Sequence, residues 1–239
     1  MRLKNISFSN PQENILFDDV LLELAEQKKA PETLRFWESE QLFIVLGKIS
    51  KVQDDVFVDV AQNNCIPILR RSSGGGTVLQ GKGCLNFSLI LSKDSHPDLQ
   101  TISRSYQFIL GKITAALESL AILAQWRPIS DVALKNTNQK ISGNAQKRAR
   151  RFILHHGTIL YDFNLSLIEK YLKIPKIYPD YRQNRLHGEF VANIQKKSED
   201  IKRVVAAQFP ISLVENTLGS DEEYCLKKFC QKQSIYILK

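Results

Sequence analysis

The sequence predicts an α/β (α+β) fold in which helices flank a mixed, mostly antiparallel sheet. Apolar stretches of strand length alternate along the chain with stretches of helical periodicity, and short polar turns join some of the strands as hairpins. Of the 239 residues, 43% are hydrophobic and 24% are charged, which is typical of a globular chain. A chain of this length can bury a full core.

The helices have recognisable starts and apolar faces. Asn10 can cap the first helix, Pro11 suits its first position, and Glu13 stands where a capping-box acid belongs. Apolar residues then recur at helical spacing over 16–24, and again over 102–117. Residues 51–64 contain the strand-like run VFVDV, but helix is favoured there. Short helices are further predicted at about 165–172, 189–196, 198–208 and 220–230.

The strands are apolar runs bounded by glycines or polar turns. They are predicted at LFIVLG (42–47), IPILRR (66–71), CLNFSLIL (84–91), DVAL (131–134), QKISGNAQ (139–146) and FILHHGTILYDF (152–163). The polar turn KNTNQ separates two of them. This order places two glycine-containing segments, residues 70–84 and 139–160, at strand ends and in hairpins.

Charge and cysteine usage narrow the class of protein. The net charge is +8 and the pI is about 9.3, which favours anionic partners such as nucleotides, nucleic acids or acidic proteins. No apolar run approaches the roughly 20 residues of a membrane span, and the N-terminal residues lack the apolar core of a secretory signal. Only Cys225 and Cys230 are close in sequence, with no second pair to complete a zinc site. We therefore expect a cytoplasmic protein with reduced thiols and no membrane partner.

The segment RRSSGGGTVLQGKGC (70–84) indicates an anion-binding loop. Arg70 and Arg71 end a strand and carry forked cations that match a carboxylate or a phosphate. The three glycines that follow permit close approach of backbone N–H groups to a ligand. The segment is neither a Walker loop nor a dinucleotide fingerprint. The alternative is a flexible hairpin loop with incidental arginines.

The segment 139–160 adds a second candidate site. Lys140 precedes Ile-Ser-Gly at the start of a strand, where its charge could stabilise a phosphoryl transition state. Gly143 again permits close backbone approach. His155 and His156 alternate in a strand, so we expect one of them to face the core, and a structural role is the default for both. The basic run 146–151 is more often a solvated face than a site, and binding of a partner is the alternative.

Together these segments resemble the lipoate–protein ligase family, relatives of biotin protein ligases and octanoyltransferases. The family motifs stand here as Arg70-Arg71-Ser72-Ser73-Gly74-Gly75-Gly76-Thr77-Val78, Lys140-Ile141-Ser142-Gly143-Asn144-Ala145-Gln146 and His155-His156-Gly157-Thr158-Ile159-Leu160. ILFDDVLLELA and RFWESEQLFIVLGK look like the family's opening helix and first strands. The resemblance covers roughly residues 10 to 195.

The resemblance implies the catalytic fold shared with biotin ligases and a two-step reaction. Lipoate attacks the α-phosphate of ATP, with Mg²⁺ expected at the phosphates, to give lipoyl-AMP and pyrophosphate. A lysine of an acceptor lipoyl domain then takes the lipoyl group and releases AMP. The implied acceptors are lipoyl domains of 2-oxoacid dehydrogenase E2 subunits or the glycine cleavage H protein.

The resemblance also implies roles for individual residues. Lys140 matches the family's essential lysine and is the implied catalytic residue, and Asp131 matches an acidic position near the adenylate. YRQNRLHGEFVANI (181–194) resembles the loop that closes over the adenylate. Val78, Leu79 and the strand from Leu85 could line a slot for the acyl tail. The implied substrate- or adenylate-binding residues are Arg70, Arg71, Ser73, Gly74, Gly75, Gly76, Thr77, Val78, Asp131, Ser142, Gly143, Ala145, His156, Gly157, Thr158, Arg182 and Arg185.

The implied domain organisation is a catalytic domain over residues 1–195, followed by a helical extension over 196–239 that packs on it. Family ligases often carry a C-terminal accessory domain of about 100 residues, and the 45 residues after Ile194 do not supply one. Either a separate accessory subunit is needed, or the chain is a single-domain type, or it does not use ATP. We expect a monomer.

Two other functions stay open. One is an octanoyl or lipoyl transferase that takes the acyl group from acyl carrier protein or from another lipoyl protein, and it needs a nucleophilic cysteine. Ile129 occupies the position where one subgroup carries this cysteine, and another subgroup carries it in a C-terminal loop that follows the strand of His156 and Gly157. Cys84 is expected to be a buried strand residue. Gln80 and Ser130 also depart from the residues usual in ligases. A non-catalytic nucleic-acid or protein-binding module would suit the basic charge, but no nucleic-acid motif accompanies it, so binding to nucleic acid is not expected.

Overall fold

The computed structural model describes residues 1–232 and 236–238. Its helices are α1 (Pro11–Glu26), α2 (Val52–Asp55), α3 (Val58–Asn63), α4 (Ile102–Glu118), α5 (Ser166–Tyr171), α6 (His187–Phe190), α7 (Ser198–Ala206) and α8 (Ser220–Lys232). Its strands are β1 (Arg2–Asn5), β2 (Thr33–Trp37), β3 (Phe43–Leu46), β4 (Ile68–Arg70), β5 (Val78–Gln80), β6 (Cys84–Ser92), β7 (Ala124–Arg127), β8 (Asp131–Leu134), β9 (Lys140–Arg148), β10 (Phe152–Leu160), β11 (Leu213–Val214) and β12 (Tyr236–Leu238).

The strands form two sheets. The large sheet has the order β11-β1-β2-β6-β10-β9-β8-β7, and the small sheet has the order β12-β4-β3-β5. In the large sheet only β1 runs parallel to its neighbours, while the pairs from β2 to β7 are antiparallel. The predicted α/β fold with a mixed, mostly antiparallel sheet is therefore confirmed.

Helices cover the sheets in the way their apolar faces require. The apolar face of α4 packs with β6, β10 and β9 into the largest core cluster, which includes Phe87, Ile109 and Ile141, each fully buried. Helix α1 is almost wholly buried between β10 and α8. Asn10 caps it through a hydrogen bond that its side chain accepts from the N–H of Gln12. The cap predicted from the sequence is thus confirmed.

Most predicted elements are present, and one is wrong. The segment 51–64 is helical, as predicted, but it is divided into α2 and α3 because Val56 forms a β-bridge with Leu172. The helix predicted at 189–196 is reduced to α6, which ends at Phe190. Beyond it, Ala192 donates its backbone N–H to the carbonyl of Lys140 at 2.9 Å, so the chain runs beside β9 instead of coiling.

The C-terminal part of the chain packs on two of the preceding helices. Helix α7 packs on α4, and α8 packs on α1. Glu222 of α8 is 3% exposed and forms ion pairs with Arg2 at 2.7 Å and with Lys4 at 2.9 Å. Two short strands, β11 and β12, join the sheets here, where the sequence predicts only helices. Residues 233–235 and 239 of the predicted extension lie outside the described residues.

Within the part of the chain that is described, none of the helices combines the length and the apolar character needed to cross a membrane.

Candidate active site

Two cavities meet at one edge of the two sheets. The smaller has a volume of about 140 Å³, and the larger has a volume of about 590 Å³. The side chains or backbones that line both cavities are those of Gly76, Thr77, Val78, Gln80, Ser130, Lys140, Gly143 and Thr158. The two predicted segments, the glycine loop and the start of β9, therefore lie together at the junction.

The glycine loop (residues 71–77) is held in shape by Arg71. The guanidinium group is buried and donates from Nη2 to the carbonyls of Gly74 at 2.7 Å and Gly76 at 2.8 Å, and from Nε to the hydroxyl of Ser73 at 3.0 Å. Burial lowers the pKa of Arg71 to about 10. Arg71 lines the smaller cavity, but these bonds to the loop itself already engage much of its hydrogen-bonding capacity.

The loop also depends on close backbone packing. Gly75 has a φ of +87°, a conformation that favours glycine. Its carbonyl oxygen would stand 2.0 Å from a Cβ placed on Gly47, so both positions require the absence of a side chain. Arg70 secures the same contact from the other side, because its Nη1 donates to the carbonyls of Gly47 and Ser50, each at 2.8 Å. Arg70 lines neither cavity and thus shapes the loop from outside.

Two acidic residues of α1 anchor the loop, and the sequence reasoning missed both. Asp19 accepts a hydrogen bond from the hydroxyl of Ser72 at 2.6 Å. Asp18 lies 3.4 Å from Nδ1 of His156, whose Nε2 lies 2.7 Å from the hydroxyl of Ser73. Burial, the largest single influence, would raise the pKa of Asp18, but the charge of Arg35 together with the contacts of His156 and Ser88 outweighs it, so the pKa is lowered. No local sequence pattern links these residues, because they are 50 to 140 positions apart.

Lys140 stands where the cavities meet and is paired with Asp131. Its Nζ lies 2.7 Å from Oδ1 of Asp131, whose side chain is 9% exposed. The two residues come together because a bulge in the β8–β9 ladder shifts the register beside Val132. The lysine side chain lies across Gly143, where a Cβ would be 3.0 Å from both Cε and Nζ. This arrangement presents the ammonium group to both cavities.

The segment that closes the larger cavity (residues 173–191, here the capping segment) supplies a further contact to Asp131. The hydroxyl of Tyr181 donates to Oδ2 of Asp131 at 2.7 Å. Burial and the charge of Asp131 raise the pKa of Tyr181, so it remains a neutral donor. The sequence reasoning did not single out Tyr181, since a lone tyrosine in a polar segment carries no positional signal.

The two arginines of the capping segment differ in their contacts. Arg185 donates to the backbone carbonyls of Thr137, Asn138 and Tyr181, and it lines neither cavity. Arg182 lines the larger cavity, is 3% exposed and donates from Nε to the carbonyl of Arg185 at 2.9 Å, yet its buried Nη2 has no hydrogen-bond partner among the described residues. A buried guanidinium nitrogen without a partner beside a cavity is suited to bind an anion there. Arg185 instead fastens the segment to the 135–139 turn.

Neutral polar groups form a ring at the junction. Gln80 donates from Nε2 to the hydroxyl of Thr158 at 2.7 Å, Thr158 donates to Asn86 at 2.6 Å, and Asn86 donates to the side-chain carbonyl of Gln80 at 3.0 Å. The ring joins β5, β6 and β10 across the two sheets. The side chain of Gln80, unusual for ligases, is therefore integrated into this site.

The smaller cavity has a largely apolar wall. Ile15, Trp37, Val45, Phe87 and Ala145 contribute to it. Trp37 is 4% exposed, and its indole Nε1 is a buried donor without a partner. Of the residues expected in an acyl slot, Val78 lines both cavities and Leu79 lines the larger one, whereas Leu85 is fully buried in the core and lines neither.

The predicted site residues divide by position. The residues that line only the smaller cavity are Arg71, Gly75, Ala145, His156 and Gly157. The residues that line only the larger cavity are Asp131, Ser142 and Arg182. Four residues expected to line the pocket line neither cavity, namely Arg70, Ser73, Gly74 and Arg185. Arg70 and Arg185 do not line a cavity because their guanidinium groups donate hydrogen bonds to backbone carbonyls.

The other titratable candidates lie outside the cavities. His155 is fully buried against Phe87 and Tyr106, and burial lowers its pKa to about 3, so it is neutral. The basic run 146–151 is tied into the fold by an ion pair of Lys147 with Asp19 and by a bond from Arg148 to the carbonyl of Gln100. The default structural interpretation of His155 is confirmed.

All four cysteines lie within the described residues, and none lines either cavity. Cys84 is buried, and burial raises the pKa of its thiol to about 12. Cys65 is exposed, and Cys225 and Cys230 pack at the α1–α8 contact. Ile129 lines the larger cavity and is 70% exposed, so an apolar side chain occupies the position expected for a transferase thiol.

The fold, the glycine loop and the paired lysine define the class of acyl–protein ligases and transferases. The family model of the lipoyl protein ligase A/B catalytic domain matches residues 10–211. The chain therefore belongs to the lipoyl protein ligase A/B catalytic domain family, whose members include lipoate–protein ligases and octanoyltransferases. The resemblance inferred from the motifs is thereby confirmed.

Relatives of both kinds are similar to the chain. Octanoyltransferase LipM of Brevibacillus brevis is 24% identical, over 91% of this chain and 89% of the relative. The putative lipoate–protein ligase A of Schizosaccharomyces pombe is 29% identical, over 70% of this chain and 42% of the relative. The chain thus spans most of the first relative and less than half the length of the second.

Solved structures share the fold. The bipartite lipoate protein ligase of Thermoplasma acidophilum superposes with a TM-score of 0.82 at 22% identity, covering 97% of this chain and 92% of the other. A lipoate–protein ligase A crystallised with ATP gives a TM-score of 0.83 at 22% identity, covering 97% and 94%. The predicted ligase-like catalytic fold is confirmed by these similarities.

Proposed function

We propose that this enzyme is a lipoate–protein ligase, which activates lipoate with ATP and transfers the lipoyl group to a lysine of an acceptor lipoyl domain. One observation carries the proposal. Lys140 stands at the junction of a narrow, partly apolar cavity and a larger cavity that also contains Lys173, Arg182 and His187. A ligand made of an acyl chain joined to a nucleotide matches such a pair of cavities.

The acyl chain occupies the smaller cavity in this proposal. Trp37, Val45 and Phe87 form its apolar wall, which favours a medium-length hydrocarbon tail through burial of apolar surface. The carboxylate then lies at the junction, beside Lys140 and the backbone of Gly76. The adenosine and phosphate groups occupy the larger cavity, whose volume of about 590 Å³ is in the usual range for such ligands.

In the first half-reaction a carboxylate oxygen of lipoate attacks the α-phosphorus of ATP, and the bond to pyrophosphate breaks. Negative charge accumulates on the non-bridging oxygens, and the ammonium group of Lys140 stabilises it. Arg182 adds a buried Nη2 donor that has no partner among the described residues. Lys140 and Arg182 therefore both supply positive charge to the cavity that holds the phosphates in this proposal.

In the second half-reaction the ε-amine of an acceptor lysine attacks the acyl carbon of lipoyl-AMP. An amide bond forms as the nitrogen gives up one proton to solvent, and AMP leaves with the electrons of the broken C–O bond. Lys140 now stabilises the charge that returns to the phosphate. The acceptor lysine must enter deprotonated, so we expect activity to rise towards alkaline pH.

In this proposal Mg²⁺ binds together with the nucleotide substrate. Across residues 1–232 and 236–238 no group of three or more His, Cys, Asp or Glu side chains could hold a metal ion. Asp131 is paired with Lys140, and Asp55 accepts a hydrogen bond from Thr77 at 2.5 Å. Mg²⁺ usually binds through phosphates and one or two carboxylates, so it would arrive with ATP, and no step is assigned to it.

The partners in this proposal are lipoyl domains of 2-oxoacid dehydrogenase E2 subunits or the glycine cleavage H protein. The Thermoplasma acidophilum neighbour is described together with its E2 lipoyl domain. That neighbour is also described as bipartite, and a separate accessory subunit is accordingly part of the proposal here. The net charge of +8 favours acidic acceptor domains.

A second candidate is octanoyl transfer from acyl carrier protein, which the similarity to LipM over 91% of the chain favours. That reaction passes through a thioester on an active-site cysteine. The positions of the four cysteines argue against it, since none of them lines a cavity and the thiol of Cys84 has its pKa raised to about 12.

Mass spectrometry of an acceptor lipoyl domain separates the two functions. One reaction contains the enzyme, lipoate, ATP and Mg²⁺, and a matched reaction contains octanoyl–acyl carrier protein without ATP. A lipoyl mass increment in the first reaction alone supports the ligase. An octanoyl increment in the second alone overturns it in favour of the transferase. If neither reaction gives a product, ATP–pyrophosphate exchange with lipoate tests the first half-reaction without any acceptor or accessory subunit.

A further inference from the structure

We infer that Tyr181 is a positioning residue that controls how firmly Asp131 holds Lys140, and so how readily Lys140 turns to the substrate anion. The inference rests on the proposed function for its consequence in catalysis, while the relationship among the three side chains can be tested without it. It assigns a role in the reaction to a side chain of the capping segment.

The geometry divides the two oxygens of Asp131 between two partners. Oδ1 lies 2.7 Å from Nζ of Lys140, and Oδ2 accepts the hydroxyl proton of Tyr181 at 2.7 Å. Asp131 is only 6% exposed, so water cannot readily replace either partner. A hydrogen bond to a carboxylate draws negative charge towards the donor. The bond from Tyr181 therefore weakens the attraction that Asp131 exerts on Lys140.

The position of Tyr181 depends on the capping segment being closed. Its ring lies 5.2 Å from the ring of Phe190 and 5.6 Å from the guanidinium carbon of Arg127. Arg185 fastens the same segment to the 135–139 turn by donating to the carbonyl of Asn138 at 2.9 Å. Displacement of the capping segment would move the hydroxyl of Tyr181 away from Asp131. The carboxylate would then keep its ion pair with Lys140 and lose its hydrogen bond from Tyr181.

The consequence is a link between closure and the availability of the lysine. With the segment closed, Lys140 is shared between a partly neutralised carboxylate and the substrate anion. Without the hydroxyl of Tyr181, Asp131 competes more strongly with the substrate anion for Lys140, and the anion binds less well. Asp131 and Tyr181 act through Lys140, which alone of the three is exposed to both cavities.

The first test is Tyr181→Phe, which removes the hydroxyl and keeps the ring. We expect KM for lipoate or ATP to rise about three- to tenfold, the range that corresponds to one weakened charge-assisted contact, with a smaller change in kcat. The matched control is Tyr161→Phe, because Tyr161 donates to Glu38 at 2.6 Å and Glu38 pairs with Lys202 at 3.0 Å, away from both cavities. The control is expected to leave KM unchanged.

A double-mutant cycle shows whether Tyr181 acts through the carboxylate. In an Asp131→Asn background, Tyr181→Phe should change KM by less than about twofold, since the charge that it moderates is gone. Equal effects of Tyr181→Phe in both backgrounds would overturn the inference and indicate that Tyr181 only supports the shape of the capping segment.

Chemical labelling of Lys140 tests the relationship without any assumption about activity. Wild-type and variant proteins are treated briefly with acetic anhydride at one pH, and acetylation of Lys140 is measured by peptide mass spectrometry. We expect labelling in Tyr181→Phe to fall about three- to tenfold, because an amino group held more firmly by Asp131 is less available to the reagent. Unchanged or increased labelling would overturn the inference, as it would mean that Asp131 does not hold Lys140 more firmly once the hydroxyl is removed. A fall in labelling in Tyr181→Phe, when the wild type shows no ATP–pyrophosphate exchange dependent on lipoate, would reject the proposed function and retain the inference.

Discussion

The side chain of Lys140 lies directly over the backbone of Gly143, so that a Cβ on Gly143 would stand 3.0 Å from the lysine Nζ. A separation of 3.0 Å is shorter than most contacts that a Cβ makes in proteins. It explains why a strand interior, where glycine weakens the sheet, carries a glycine here. The glycine leaves room for the ammonium group at the junction of the two cavities.

Gly143→Ala should therefore displace the ammonium group and leave the fold intact. We expect kcat/KM for lipoylation to fall about tenfold to a hundredfold, because displacement of a catalytic group by about 1 Å can have an effect of this size. Thermal unfolding should change little, since the neighbouring atoms belong to a flexible side chain. The control is Gly111→Ala in α4, where a Cβ meets nothing within 4 Å and the helix should gain about 0.5–1 kcal/mol. Equal activity of both variants would contradict the proposed position of Lys140.

Lys140→Ala tests the catalytic assignment more directly. We expect ATP–pyrophosphate exchange dependent on lipoate to be lost, while circular dichroism and thermal unfolding remain close to those of the wild type. The physical reason is that no other cation lines both cavities among the residues that the structure describes. A Lys140→Ala protein that still consumes ATP and forms lipoyl-AMP would reject the assignment.

Arg182 and Arg185 should respond differently to replacement by methionine. Arg182→Met removes a donor without a partner among the described residues, so we expect Kd for ATP to rise at least about tenfold, a loss of about 1.5–3 kcal/mol of anion binding. It also removes the bond from Nε to the carbonyl of Arg185 at 2.9 Å and the contact of the guanidinium with the ring of Phe190, so the free energy of unfolding should fall by about 1–2 kcal/mol. Isothermal titration with ATP and urea unfolding measure the two quantities.

Arg185→Met provides the comparison. It removes donations to the carbonyls of Thr137, Asn138 and Tyr181, so the main expected effect is on the stability of the capping segment, read as faster amide exchange over residues 178–191. If Arg182→Met instead accelerated exchange and left ATP binding intact, the two roles would be reversed.

The sequence was sufficient for the long helices and strands and for two parts of the site. Helix periodicity and apolar strand runs predict α1, α4, β6 and β10, because each buries one face against a neighbour. The glycine loop and Lys140 are recognisable since their chemistry is concentrated in short segments. The helix predicted at 189–196 is wrong because the bond between Ala192 and Lys140 is a long-range contact.

The remaining parts of the site depend on partners far away in the sequence. Asp18 and Asp19 look like polar positions of an amphipathic helix, although they anchor the glycine loop from α1. Arg70 has the residue type expected of an anion ligand, but only its surroundings reveal that carbonyls already bind it. Composition identifies a donor, whereas the fold determines which acceptor it meets.

The cysteines provide a test between the two proposed reactions. Replacing Cys65, Cys225 and Cys230 by serine and Cys84 by alanine should leave kcat for ATP-dependent lipoylation within about threefold of the wild type, since none of them lines a cavity. Cys84→Ala is expected to reduce stability by about 1 kcal/mol as a small cavity forms. Native protein treated with iodoacetamide should be labelled at Cys65 but not at Cys84, whose thiol is buried with its pKa raised to about 12. Loss of all acyl transfer in the cysteine-free protein would favour the thioester route.

The buried pair of Asp18 and Arg35 should make stability depend on pH in the acid range. Asp18 Oδ1 lies 2.8 Å from the guanidinium of Arg35, and although burial is the largest single influence and raises the pKa of Asp18, the charge of Arg35 with the contacts of His156 and Ser88 lowers it overall. A lowered pKa in the folded state means that the ionised carboxylate stabilises the protein above the pKa of the unfolded chain, about 3.9. This stabilisation is lost as the pH falls further, through the pKa of the folded state.

Asp18→Asn should thus destabilise the protein by about 3–5 kcal/mol at pH 7, because the charge of Arg35 is left without its carboxylate. The difference from the wild type should be constant above about pH 5 and should shrink as the pH is lowered below 4. Urea unfolding followed by circular dichroism at a series of pH values measures it, with Asp200→Asn as a control for removal of an exposed carboxylate. The double variant Asp18→Asn with Arg35→Met should recover part of the loss, since it removes the unpaired charge. A difference that stays the same from pH 7 to pH 3 would show that Asp18 stabilises the fold by its shape and hydrogen bonds and not by its charge.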